Sequence, residues 1–125
     1  MLSRHTNEEI KTPFPEEKYK SYLKLLGFST DQKLDGENVK KIFLTVIYDF
    51  TEGQISLDEL SSIGGFLSGY LPIEDQFHTK LGDALNDASE LTYYVRHVDD
   101  KVCADTFIWF MQNILEYYDS NRTNS

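Results

Sequence analysis

One segment of the chain has the length and part of the pattern of a calcium-binding loop. Between Tyr48 and Glu59, glycine stands at position six, isoleucine at position eight and glutamate at position twelve, as in an EF-hand. Calcium needs oxygen ligands at positions one and three, where this segment has Tyr48 and Phe50. We therefore predict no specific calcium site and interpret the segment as a corner between two helices.

A second pattern could bind a transition metal. Asp75 and His78 stand at i and i+3, the spacing by which helices supply a carboxylate and an imidazole to di-iron sites. Such a site needs this pair twice, whereas here it occurs once, at a predicted helix start where Asp75 already favours the helix dipole. We predict no bound metal and no other cofactor.

The single cysteine, Cys103, is a candidate nucleophile. Its place near a helix N-terminus would lower its pKa, but the neighbouring Asp99, Asp100 and Asp105 would raise it again. We interpret Cys103 as a small buried hydrophobic residue. One cysteine excludes an intrachain disulfide, which is typical of proteins in the reducing cytosol.

Motifs for other catalytic chemistry are absent from the sequence. No serine or cysteine stands in a motif with a histidine, although a triad assembled in space remains open. The Gly64-Gly65 pair is not followed by Lys-Ser/Thr, so it is no phosphate loop. We predict no catalytic residues and therefore no enzyme.

Acidic residues recur on one face of the predicted fourth helix. Asp83, Asp87 and Glu90 align there, with Tyr94 and His97 further along the same face. Like charges at this spacing repel by a few tenths of a kcal/mol per pair, and no lysine at i+4 relieves them. The row is either a solvated face or an acidic ridge that contacts a basic partner.

The charge of the chain is negative and uneven. The net charge is -9; residues 1–41 hold seven acids and eight bases, and residues 42–125 hold fourteen acids and four bases. Such a surface repels phosphate backbones, which argues against nucleic-acid binding, and attracts a basic protein. We expect Asp83, Asp87, Glu90, Tyr94 and His97 to contact that partner, followed by Asp58, Glu59 and Glu74.

Apolar stripes at helical spacing predict an all-α fold without strands. We expect a single-domain bundle of about five helices over residues 1–125, with 1–13 and 119–125 flexible. Because the C-terminal helix is apolar nearly all round, including Trp109, we place it at the centre of the bundle. The predicted helices run from Phe14 to Gly27, from an N-cap at Asp35 to Gly53, from Ser56 to Pro72, from about Glu74 to His97, and onward from Asp99-Asp100.

The third predicted helix contains two adjacent glycines. Gly64 and Gly65 each cost roughly 1 kcal/mol relative to alanine in a helix interior. We expect close approach of another backbone, or a kink, to explain them. A homodimer that packs through Gly64, Gly65 and Gly69 is one form that this approach could take.

The cellular location is inferred from missing signals. No apolar run approaches the ~20 residues that span a bilayer. The N-terminal residues lack the apolar stretch of a secretory signal. We expect a cytoplasmic protein that has no contact with membranes.

The corner segment supports one family resemblance. The pattern Phe50, Gly53, Ile55, Ser56 and Glu59 resembles a segment of bacterial immunity proteins of the colicin and contact-dependent-inhibition kind, over about a dozen residues. The resemblance implies a small helical inhibitor of a nuclease toxin, whose basic phosphate-binding site suits an acidic partner. It transfers no binding residue.

Three functions follow from these observations. The leading one is an acidic protein-binding module, an immunity or antitoxin-like inhibitor that covers the active surface of a basic, nuclease-type toxin. The alternatives are a helical adaptor or regulatory domain that acts as a homodimer, and a ligand-binding or enzymatic bundle.

Overall fold

The computed structural model describes residues 16–25, 35–71 and 79–122, and the regular structure in these residues is entirely helical. The predicted all-α bundle is confirmed. None of the helices in this part of the chain is long and apolar enough to cross a membrane. The described residues form five helices, α1 (Glu16–Leu25), α2 (Gly36–Thr51), α3 (Leu57–Ser68), α4 (Lys80–Val95) and α5 (Lys101–Arg122).

Helix α2 follows the prediction closely. The Asp35 carboxylate caps it by accepting a hydrogen bond from the Asn38 amide at 2.9 Å. The predicted stripe is fully buried from its first residue to its fifth, and Phe50 packs on the edge of the core. The buried residues are Val39, Ile42, Phe43, Val46 and Ile47.

The corner between α2 and α3 is built as the sequence predicts. Gly53 adopts φ +77°, a left-handed conformation that suits glycine, and the Gln54 amide donates back to the Asp49 carbonyl at 2.8 Å. The Ser56 hydroxyl then accepts from the Glu59 amide at 3.1 Å, and the Glu59 carboxylate accepts from the Ser56 amide at 2.8 Å. Capping chemistry therefore accounts for the residues that resemble an EF-hand.

The paired glycines bring α3 against α4 of the same chain. A Cβ added at Gly64 would lie 2.8 Å from the Ala88 Cβ, and one added at Gly65 would lie 3.3 Å from the Ser89 Cβ. This close approach explains the glycines. Gly64 is buried in this contact, whereas Gly65 is partly exposed and Gly69 is exposed, so of the three glycines of the alternative homodimer only Gly64 is withdrawn from the surface.

Helix α4 begins later than predicted. Thr79 has an extended backbone and its hydroxyl accepts from the Gly82 amide at 2.9 Å, so the helix starts at Lys80. The predicted start at Glu74 and the pair Asp75 and His78 lie outside the described residues. At its other end, α4 turns through residues 96–100 into α5.

The placement of α5 at the centre of the bundle is wrong. Val102, Ile108 and Trp109 are 72%, 54% and 57% exposed, whereas Phe110 and Ile114 are 8% and 0% exposed. Helices α2, α3 and α4 each bury five residues and form the core. Helix α5 lies along the edge of this core against α4 and α2, and its outer apolar residues have no helix to cover them within the described residues.

Candidate partner-binding groove

Helices α4 and α5 pack antiparallel beside one another. Near the turn that joins them, the rings of Tyr94 and Phe110 meet edge to face with centroids 5.4 Å apart. Further along, the Asn113 side-chain amide donates to the Asp87 carboxylate at 3.3 Å. These two contacts set the register, which brings the first half of α4 opposite the second half of α5.

Away from the turn, the two helices leave a groove of about 540 Å³ between them. Its walls combine charge with aromatic surface. Three carboxylates and one lysine contribute charge, and a tryptophan and a tyrosine contribute rings. These six residues are Asp83, Asp87, Glu116, Lys80, Trp109 and Tyr117.

Asp87 is the most perturbed acid in the groove. Its side chain is half-buried, and this burial raises its pKa to about 6. The nearby charges of Asp83 and Glu90 raise it further, whereas the hydrogen bond from Asn113 acts in the opposite direction. Within the described residues, Asp87 forms no salt bridge, so no cation offsets the cost of burying its charge.

The predicted acidic row does not form one solvated face. Asp83 is exposed, but Asp87 and Glu90 are half-buried, and Asp87 contacts Asn113 of α5. Tyr94 is turned into the contact with α5. His97 lies beyond the helix end, exposed, with its ring stacked on Tyr93 at 4.4 Å.

The acids predicted as second choices have partners within the chain or lie outside the described residues. The Asp58 carboxylate accepts from the Thr92 hydroxyl at 2.9 Å and forms a salt bridge with Arg96 at 3.4 Å. Glu59 closes the capping box of α3. Glu74 is not described. The structure therefore brings Asp83 and Asp87 into the groove, and Asp58 and Glu59 lie elsewhere.

Sequence reasoning missed the half of the groove that α5 supplies. Trp109, Asn113, Glu116 and Tyr117 stand at i, i+4, i+7 and i+8, so they share one helix face. Asn113 and Glu116 are polar, and this could have indicated that the face is not buried in the core. The nearly continuous apolar character of α5 instead predicts that Trp109 or its neighbours lie in the core, and of these Phe110 is buried.

The other candidate for chemistry is Cys103. It is partly exposed, not buried as predicted, and its amide donates to the capping Asp100 carboxylate at 3.1 Å. Partial desolvation and the charges of Asp100 and Asp99 raise the pKa of its thiol, which disfavours the reactive thiolate. No group of three or more histidine, cysteine or acidic residues in the described part of the chain could hold a metal ion.

No protein-family model, curated protein or solved structure matches this chain. The case for a function therefore rests on the geometry and the charge of the groove.

Proposed function

We propose that this chain is an acidic protein-binding module that covers a basic surface of a partner protein with the groove between α4 and α5. One observation carries the proposal: Asp87 is a half-buried carboxylate that no cation pairs with in the described part of the chain. An unpaired charge held in this way destabilises the free protein. Such a cost is typical of functional sites, where a ligand supplies the missing interaction.

Long-range electrostatics supports the same proposal. Residues 42–125, which include both walls of the groove, hold fourteen acids against four bases. A field of this sign draws in a basic protein and raises the association rate, most strongly at low ionic strength.

The exposed tryptophan supports a protein partner. Trp109 is more than half exposed at the edge of the groove. Tryptophan is among the residues that most often dominate the binding energy of an interface. It gives the groove an anchor that charge alone would not supply.

The most concrete form of the proposal is an immunity-type inhibitor of a nuclease toxin. A surface that binds phosphate backbones is basic and would be complementary to this groove. The resemblance of the corner between α2 and α3 to immunity proteins points to the same class. That corner is a capping motif, so the partner class rests mainly on charge.

A small-molecule ligand is the second candidate. A groove of about 540 Å³ falls within the range of small-molecule sites. Its carboxylates would select a cationic ligand such as an amine. This candidate predicts tight binding of a small cation and no stoichiometric protein partner.

The test begins by identifying a stoichiometric partner by affinity capture, followed by binding kinetics at low and high salt. Asp83→Lys and Asp87→Lys should each slow association and speed dissociation. Glu52→Lys is the matched control, because Glu52 is exposed and lies outside the groove. Equal effects of the groove and control variants would refute a role of the groove. If the association rate of the parent protein does not change with salt, the electrostatic argument is refuted.

A further inference from the structure

Two carboxylates of the groove have acceptor atoms that no side chain of residues 16–25, 35–71 and 79–122 uses. The Asn113 amide contacts Oδ2 of Asp87, and Oδ1 receives no hydrogen bond from the described residues. One helical turn away, the exposed Asp83 carboxylate likewise has no partner in this part of the chain. The groove therefore presents two open carboxylates on one wall and the Trp109 ring on the other.

The chemistry of this arrangement favours a guanidinium group over an ammonium group. A planar guanidinium donates several N–H groups and pairs with carboxylates through two parallel hydrogen bonds. It also stacks on indole rings and is more weakly hydrated than an ammonium ion, so it enters a half-buried groove at lower cost. Lys80 lines the same groove, but as the exposed first residue of α4 it can turn into solvent.

We infer that the groove receives one arginine side chain of the partner protein, with its guanidinium between Asp87 and Trp109. The protein origin of this arginine rests on the function proposed above, whereas the selectivity of the groove can be tested alone. The groove lining holds three acids and one base. The groove is therefore acidic like the chain as a whole, and both would attract a positively charged side chain.

The experiment uses N-acetyl-arginine amide as the probe and the uncharged citrulline analogue as its isosteric control, at constant ionic strength. Trp109 is the only tryptophan in the chain, so its fluorescence and its indole N–H resonance report on the groove directly. We expect a saturable change with the arginine probe, a weaker one with the lysine analogue and none with citrulline.

Two variants then locate the binding. Asp87→Asn should lower the affinity for the arginine probe by roughly three- to tenfold, as expected for the loss of one charge-assisted hydrogen bond at a partly solvated site. Glu52→Gln removes the same charge outside the groove and should leave the affinity nearly unchanged. Circular dichroism establishes that both variants are folded.

The outcomes separate this inference from the proposed function. Equal responses to arginine and citrulline, or equal losses in the two variants, would overturn the arginine inference. If the arginine probe does not bind, whereas Asp87→Lys still lowers the affinity for the captured partner, the proposed function stands without this pocket. If the probe binds but the partner is insensitive to Asp87, the groove recognises guanidinium but the partner's arginine does not occupy it, and the inference is again overturned.

Discussion

Replacing Asp87 with asparagine should stabilise the protein at neutral pH. The change removes the half-buried charge but keeps the shape of the side chain and an oxygen that can accept from Asn113. Charge is the part of Asp87 that opposes folding, because burial and the neighbouring acids Asp83 and Glu90 disfavour the ionised form. A functional residue kept at a cost to stability should show this behaviour.

The size of the effect follows from the pKa of Asp87. A rise from 3.8 to about 6 corresponds to roughly 3 kcal/mol at 1.36 kcal/mol per unit. Since the side chain is only half-buried, solvent screening reduces this figure, and we expect about 1 kcal/mol.

The sign of the pH dependence is distinctive. Between about pH 4 and pH 6 the folded protein binds the Asp87 proton and the unfolded chain does not, so this group makes stability fall as pH rises. Above about pH 6 both states are ionised and the full penalty applies. The advantage of Asp87→Asn should therefore be complete above pH 6 and should vanish below about pH 4.

Urea unfolding of the parent and the variant across this range measures the difference directly. The other carboxylates titrate in both proteins, so their contributions largely cancel. Glu52→Gln controls for the loss of one surface charge and should change stability by less than about 0.5 kcal/mol at any pH. If Asp87→Asn lowers stability at pH 7, the carboxylate is a stabilising residue and the main argument for the groove fails.

Two further predictions concern packing. Gly64→Ala should lower the free energy of unfolding by about 1–3 kcal/mol in urea titrations, because its Cβ would lie 2.8 Å from the Ala88 Cβ; a variant more stable than the parent would show that the helices separate easily. Phe110→Ala should cost about 3–5 kcal/mol and Ile108→Ala about 0.5 kcal/mol or less, because only Phe110 is buried; similar losses at both positions would place α5 deeper than the structure does.

The parts of the fold that the sequence predicts are those determined by neighbours along the chain. The caps at Asp35 and Ser56 act within three residues, and the left-handed turn needs only Gly53. The stripe of α2 is unambiguous because its apolar residues recur at i, i+3, i+4, i+7 and i+8, the spacing of one helix face. Thr79 is a cap of the same local kind, but the apolar spacing in the sequence continues before it to Phe77 and therefore predicts an earlier helix start.

The position of α5 could not be read in this way. A helix that is apolar nearly all round can lie at the centre of a bundle or at an edge with one side open, and periodicity does not distinguish the two. Whether α5 lies at the centre or at the edge depends on α3 and α4, whose close contact at Gly64 and Ala88 makes them a compact pair. With α2 completing that core, α5 is left at its edge, where Trp109 remains exposed.

The position of the groove is explained by the residues with which α4 and α5 face each other. Toward the connecting turn, α4 and α5 face each other with Tyr94 and Phe110, which pack closely. Toward the other end, Asp83 and Asp87 face Glu116, and close packing would bury three acids together. The two helices therefore leave a gap there, and Asn113 stabilises Asp87 only partly. A partner that brings a cation into this gap would offset the mutual repulsion of these acids.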